Sequence, residues 1–374
     1  MNTVILLPSE ELEQLKLENS QLKSANELLK SSNEQLKEAN VLLKEANEQL
    51  KSSNELMIES TKKLSEEVAM ISSKITSLTD TTNDLKNAIE CKKVTPASLY
   101  NLFAGYHIDD VSDLSDWDVS NVVDFTYAFN MCSVEDLTLL SDWNVCNCRH
   151  FSGMFRGCRM LKNLEGLSNW NVSNGIDFNN MFSNCTELED ISALANWDVS
   201  KGTTFNDMFK ECKQLKNIEA LANWDVSNGT DFSEMFQKCG SLRNLEALSH
   251  WNVSNGTNFN NMFRCCNQLK TLEGLSNWNV SNGIDFNNMF SNCTELEDIS
   301  ALANWDVSKG TNFNYMFGSC KKIKDISVLS NWCVPKDLDV RCMFTIRSNN
   351  YGYKDCTITE TDVAWLTQHI KRHN

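Results

Sequence analysis

The stretch Leu161–Cys185 reads LKNLEGLSNWNVSNGIDFNNMFSNC, and its reading decides the fold. Its tryptophan, Trp170, belongs to a ladder of Trp117, Trp143, Trp170, Trp197, Trp224, Trp251, Trp278, Trp305 and Trp332, in which the first step is 26 residues and every later one 27. A fixed period of this length is the mark of a solenoid, in which each unit buries its apolar face against its neighbours. Residues 164–203 are identical to residues 272–311, four units further on, so part of the array is a duplication. No unit then holds an indispensable site of its own.

Within the unit, Leu161–Leu167 is short enough to be one extended strand per coil, and Asn169–Gly175 is a turn region. Gly175 and its counterparts Gly202, Gly229, Gly256, Gly283 and Gly310 are expected to supply positive φ there. Phe178, Met181, Phe182 and Cys185 stand at i, i+3, i+4 and i+7, a spacing that predicts one short helix with one buried face. The Asn or Asp after each Trp is expected to bond turn backbone. The Trp ladder itself, beside Val145, Val172 and their successors, reads as packing between coils.

The repeat carries Trp170-Asn171-Val172-Ser173, then Phe178, Met181-Phe182 and Cys185, and the pattern recurs from Trp197, Trp224, Trp251, Trp278 and Trp305. It resembles the BspA-like leucine-rich repeat family, whose 26–27-residue repeats occur in mycoplasma surface lipoproteins and in bacterial and protist surface proteins. The resemblance covers about residues 110–345. It implies an α/β solenoid, a leucine-rich-repeat-like right-handed array with one short strand and one short helix per coil. It further implies a parallel sheet on one face, and adhesion or protein binding as the role.

Ahead of the array the period changes to seven. Leu15, Leu22, Leu29, Leu36, Leu43, Leu50, Met57, Leu64, Ile71, Leu78 and Leu85 hold one heptad position, d. Asn19, Asn26, Asn33, Asn40, Asn47 and Asn54 hold position a, with Val68, Ile75 and Ile89 nearer the array. Leu at d with Asn at a predicts a parallel two-stranded coiled coil in register. At about 1.5 Å per residue such a helix reaches about 120 Å. The resulting organisation is a flexible N-terminus 1–9, coiled coil 10–90, N-terminal cap 91–116, solenoid 117–344 and C-terminal cap 345–374. In the last segment Thr359 and Asp362 pair as N-cap and N3 of a helix whose apolar face is Val363, Leu366 and Ile370, with Lys371 and Arg372 at its end.

The formal net charge of −16 disfavours nucleic acid and anionic membrane as partners. No run reaches the roughly 20 apolar residues of a membrane span. Eight of the fifteen cysteines, Cys132, Cys158, Cys185, Cys212, Cys239, Cys266, Cys293 and Cys320, recur fifteen residues after a ladder Trp. Parallel side chains on stacked units lack the convergence that disulfides need, so these are expected to be reduced core thiols. With no signal-peptide pattern at Met1–Pro8, they favour an intracellular location.

No phosphate loop, metalloprotease helix or nucleophile elbow is present, His107, His250, His369 and His373 lie far apart, and no enzyme or cofactor is expected. The candidate binding surface is a polar strip on the expected strands: Asn163, Glu165, Asp190, Asn217, Glu219, Asn244, Glu246, Glu273 and Asp298. It is mildly acidic and suits a basic or amide-rich protein partner. No metal site is expected; the one cluster with suitable donors is Cys132, Cys146, Cys148, His150 and Cys158, whose spacing matches no zinc finger. The functional expectation is a non-enzymatic protein–protein interaction scaffold, paired through its coiled coil, with a secreted or cell-surface adhesin or a passive spacer as alternatives.

Overall fold

The computed structural model describes residues 9–90, 97–106, 114–344 and 358–373. The terminus Met1–Pro8 and His107 lie outside the described residues, as do the side chains of Leu78, Leu85 and Ile89. The chain divides into two units, Met1–Lys93 and Val94–Asn374.

The first unit is one helix, α1 (Ser9–Glu90), with Glu10 and Glu11 in its first turn, where acidic groups complement the helix dipole. The heptad reading predicts this helix. Its d residues Leu15, Leu22, Leu29, Leu36, Leu43, Leu50, Met57 and Leu64 are all exposed on the single chain.

The second unit is the array, in which coil 1 contains Trp117 and coil 9 Trp332. A coil turns at up to three Asn or Asp side chains. In coil 3 the Asn171 Oδ1 accepts from the Ser173 amide at 3.1 Å and the Asp177 Oδ1 from the Asn179 amide at 3.0 Å. The stretch leading into that coil bends where the Asn163 Oδ1 accepts from the Glu165 amide at 3.1 Å. A short polar side chain that ties up the amide two residues on is an economical way to turn a backbone. The bonds recur from coil to coil, for example at Asn217, Asp225 and Asp231. The expectation for the residue after Trp is therefore met, and two further positions do the same.

The strand expected over 161–167 is not formed. Asn163 makes a single parallel bridge to Asp190, and the chain then enters a 3-10 helix, Glu165–Leu167, after Leu164 at φ −118°, ψ 24°. The Asx bond from Asn163 sets this bend, which leucines at every third position alone do not reveal. The continuous parallel ladder lies elsewhere, through Asp124, His150, Asp177, Thr204, Asp231, Asn258, Asp285 and Asn312.

The helix expected over 178–185 is also replaced. The Phe178, Asn180, Phe182 and Asn184 amides donate to the Thr204, Asn206, Met208 and Lys210 carbonyls of the next coil, at 3.1, 2.9, 2.9 and 2.6 Å. Between them, the Met181, Ser183 and Cys185 amides donate three residues back, to Phe178, Asn180 and Phe182. Two residues take left-handed backbone, Asn180 at φ 57° and Asn184 at φ 62°. The result is a staircase of tight turns whose amides serve their own coil and the next coil in alternation. A helix would spend every amide internally and leave the coils joined by side chains alone. Both conformations place Phe178, Met181, Phe182 and Cys185 inward, which is why apolar spacing does not separate them.

Each left-handed non-glycine residue costs about 1–2 kcal/mol. Each coil from 2 to 8 recovers this by burying two phenylalanines, at about 1.5–3 kcal/mol apiece, together with its Trp and Met. The rings form continuous stacks: Phe178–Phe205 and Phe182–Phe209 have centroids 5.7 Å apart, and Trp197–Trp224 lie 6.5 Å apart at an interplanar angle of 1°. Every indole N–H from Trp143 to Trp332 donates to a leucine carbonyl of the preceding coil, as Trp224 does to Leu194 at 3.0 Å. The Trp ladder is thus core.

Gly175 and its counterparts do not have positive φ; among the described residues the glycines that do are Gly105, Gly153 and Gly157. A Cβ on Gly175, Gly202 or Gly229 would press into the ring of Phe178, Phe205 or Phe232, with a Val carbonyl 3.0 Å away on the other side. Close approach, not backbone freedom, selects glycine there.

Both ends of the core are closed. Leu99, Asn101, Phe103 and Gly105 donate amides to Asp124, Thr126, Ala128 and Asn130, so the N-terminal cap is a partial staircase, with Phe103 stacked 5.1 Å from Phe129. At the other end, β1 (Cys333–Pro335) pairs in parallel with β2 (Lys371–His373). The helix α2 (Glu360–His369) has the expected Thr359–Asp362 capping box and buries Val363 and Leu366, with Ile370 buried just beyond its end. Lys371 and Arg372 belong to β2 rather than to the helix end. The Arg372 guanidinium donates to the Lys336 and Leu338 carbonyls at 2.7 and 2.9 Å, occupying backbone acceptors that a further coil would otherwise meet.

Candidate interaction surfaces

The strip residues Glu165, Asp190, Asn217, Glu219, Asn244, Glu246, Glu273 and Asp298 are exposed, and Asn163 is half-buried. They divide into two kinds. Asn163, Asp190, Asn217, Asn244 and Asp298 are spent on corners, each accepting the amide two residues on. Their amino-acid type is explained by the fold. Glu165, Glu219, Glu246 and Glu273 instead open the 3-10 helices that follow, and among the described residues none is in an ion pair.

Elsewhere on the array, carboxylates find lysines. Glu189 meets Lys216 at 3.6 Å, and Glu211, Glu295 and Glu297 pair with Lys238, Lys322 and Lys324 of the following coil. Glu219, Glu246 and Glu273 therefore form an unneutralised row on three consecutive coils, at the roughly 4.8 Å spacing of hydrogen-bonded chains. Like charges at that distance repel, so the row works against the stack that carries it.

A second polar row escapes sequence reading. The Asn174 Nδ2 donates to the Cys146 carbonyl at 2.8 Å, and Asn147, Asn228, Asn255 and Asn282 make the same bond to the coil before. Where lysine replaces asparagine, the Lys201 Nζ reaches the Asn174 Oδ1 at 2.6 Å and the Lys309 Nζ the Asn282 Oδ1 at 2.6 Å. The 27-residue recurrence of Asn four positions after Trp is the signal that marks it.

The ladder cysteines are free and buried. Each Sγ donates to a phenylalanine carbonyl in the coil before, Cys185 to Phe155 and Cys212 to Phe182, both at 3.2 Å. Burial pushes the thiols up, Cys132 to about 11 and Cys185 to about 12, with Cys158, Cys212, Cys266 and Cys293 well above the usual range. Protonated sulfurs bonded to carbonyls are poor ligands and poor nucleophiles.

Of the candidate metal donors, Cys132 and Cys158 are in this ladder, bonded to Phe103 and Phe129. Cys148 occupies the close-packed glycine position, buried, with its thiol pushed up to about 12 by desolvation. Cys146 and His150 are half-buried on the coil surface. Among the described residues, no three His, Cys, Asp or Glu side chains are placed to hold a metal ion. No described helix is long and apolar enough to cross a membrane.

The crystal structure of a leucine-rich repeat protein from Bacteroides ovatus ATCC 8483 aligns with 16% identity over 62% of this chain and 64% of its own, with a TM-score of 0.26. The plant peptide hormone receptor RGFR1 in complex with RGF2 aligns with 11% identity over 61% of this chain and 57% of its own, with a TM-score of 0.17. The chain thus spans less than two thirds of either structure. No functionally curated protein matches it. The sequence profile of one family matches four overlapping stretches, residues 97–218, 163–271, 190–296 and 243–354, which follow the coils from the N-terminal cap to the last unit. The chain belongs to that family, described as Mycoplasma protein of unknown function, DUF285.

Proposed function

We propose that this protein is a non-enzymatic protein–protein interaction scaffold: α1 pairs two copies in parallel, and the array presents its glutamate row to a basic protein partner. The observation that carries the reading is the row itself. Glu219, Glu246 and Glu273 are exposed and outside every ion pair of the described residues, on coils whose other carboxylates are largely neutralised or bonded to backbone. The aromatic core holds them at fixed spacing, so a partner with matching basic groups meets a preorganised surface.

Pairing is supported by the exposed leucine stripe of α1, in which Leu22, Leu29 and Leu43 are 61%, 60% and 62% accessible. Water contact along such a stripe is what coiled-coil formation removes, and buried Asn at a sets the register. Two arrays on one stalk raise apparent affinity for a multivalent partner.

Two full-length variants test this: Leu29→Lys with Leu36→Lys and Leu43→Lys, and Glu219→Lys with Glu246→Lys and Glu273→Lys. Sedimentation is expected to give a dimer for the wild type and a monomer for the leucine variant. Affinity capture is expected to lose its partner with the glutamate variant and weaken with the leucine variant. Recovery of the same proteins by both baits as by the wild type would rule the reading out.

A further inference from the structure

Coil 2 departs from the rest of the array in charge. Between Trp143 and Asn169 it carries Arg149, His150, Arg156, Arg159 and Lys162 against one acid, Glu165, in a chain of net charge −16. Two of these arginines line a cavity of about 470 Å3, formed with Met131, Gly157, Met160 and Asn184. Among the described residues neither Arg156 nor Arg159 is in an ion pair.

Of the other two cations at the Arg156 position, Arg264 is in no ion pair among the described residues, and Lys210 shows what such a cation can meet. Lys210, thirteen residues after Trp197 as Arg156 is after Trp143, bonds Asp207 of its own coil at 2.8 Å and Glu234 of the next coil. The corresponding positions around Arg156 are Gly153 and Asn180. Both carboxylates are missing. At the next position, where other coils carry a side chain such as Asn184, Glu211 or Lys238, coil 2 has Gly157 with φ +76°, and the cavity opens over it. Its rim is apolar: Met131 and Met160 are 58% and 46% exposed. Methionine is the side chain that best adapts to a foreign apolar group.

We infer that this cavity binds an acidic peptide segment of a partner protein, with a carboxylate against Arg156 and Arg159 and a neighbouring apolar side chain between Met131 and Met160. A carboxylate is favoured over other anions because that is the group the same backbone already seats beside Lys210. Arginine presents a planar fork suited to it. The site is separate from the glutamate row and opposite in charge, so it does not depend on the function proposed above.

The test is fluorescence anisotropy of the full-length protein with a short fluorescein-labelled peptide of Glu-Glu-Leu repeats, beside the same peptide with Gln for Glu, and with inorganic phosphate as competitor. The decisive variant is Asn180→Glu, which gives Arg156 the internal carboxylate that Glu234 gives Lys210, at a backbone position where glutamate is already tolerated. Saturable binding of the Glu peptide, weakened about tenfold or more by Asn180→Glu and by Arg156→Gln with Arg159→Gln, and unchanged by Lys210→Gln, is expected. Should the double arginine variant fail to fold, Asn180→Glu alone decides. No binding, equal binding of the Gln peptide, indifference to Asn180→Glu, or displacement by phosphate as effective as by unlabelled peptide would each overturn the inference.

Discussion

A glycine and an alanine exchanged at one position discriminate the staircase from the helix that apolar spacing predicts. Asn184 and Ser319 are equivalent, fourteen residues after Trp170 and Trp305, and both have φ 62°. If Phe178–Cys185 were helical, glycine at 184 would be about 1 kcal/mol worse than alanine. In the left-handed region the order inverts, because alanine carries a Cβ against the following carbonyl at a cost of about 1–2 kcal/mol that glycine escapes. The two conformations therefore differ in sign, with a swing of about 2–3 kcal/mol between them. Coil 2 supplies the natural comparison, with Gly157 at this position and φ 76°. The assay is urea unfolding followed by tryptophan fluorescence for Asn184→Gly, Asn184→Ala, Ser319→Gly and Ser319→Ala. Amide exchange of Phe182, Asn184, Phe317 and Ser319 accompanies it, since long arrays unfold in parts. Both glycine variants are expected to be more stable than their alanine partners. Alanine exceeding glycine at both sites would refute the staircase.

Three other outcomes follow from the packing. Alkali is expected to destabilise the array. Burial keeps the ladder thiols protonated in the fold, so their contribution is complete below the unfolded-chain value near 8.5 and is lost as pH rises toward the folded values, about 12 for Cys185. Each thiol ionised only when unfolded contributes a slope of about 1.4 kcal/mol per pH unit in that window, and Cys185→Ala is expected to flatten the pH dependence of thermal unfolding by that share. Gly202→Ala is expected to lose about 1–3 kcal/mol, because the methyl must displace the Phe205 ring; a neutral result in chemical denaturation would contradict the close-approach account. Trp224→Phe leaves the Leu194 carbonyl without its indole donor inside the core and is expected to cost about 1–3 kcal/mol beyond the lost ring volume, read as local loss of exchange protection in coils 4 and 5.

The array and its buried face were legible from recurrence alone. Trp170, Val172, Phe178, Met181, Phe182 and Cys185 are buried as their period requires, and the Thr359–Asp362 capping pair and its apolar face appear where spacing places them. The candidate strip was legible as an exposed surface. Its asparagines and aspartates turned out to hold backbone corners, which spacing did not show because an Asx corner and a ligand-binding amide look alike until the bonded amide is located. The basic excess of coil 2 can be counted in the sequence but was not among the surfaces expected from it. That Arg156 lacks the carboxylates of Lys210 required knowing which side chains the neighbouring coils bring together.

What the sequence by itself determined is which residues face inward and how often, since burial of Trp, Phe, Met, Leu and Cys depends only on their recurrence once every coil is the same length. What only the tertiary structure decided is the backbone that puts them there. The amides of Phe178, Asn180, Phe182 and Asn184 take acceptors 26 residues away, and two left-handed residues per coil are the consequence. Apolar spacing reports on side chains, and a helix and a staircase of turns present the same ones to the core. Hydrogen bonds between coils, formed only when the coils stack, separate the two.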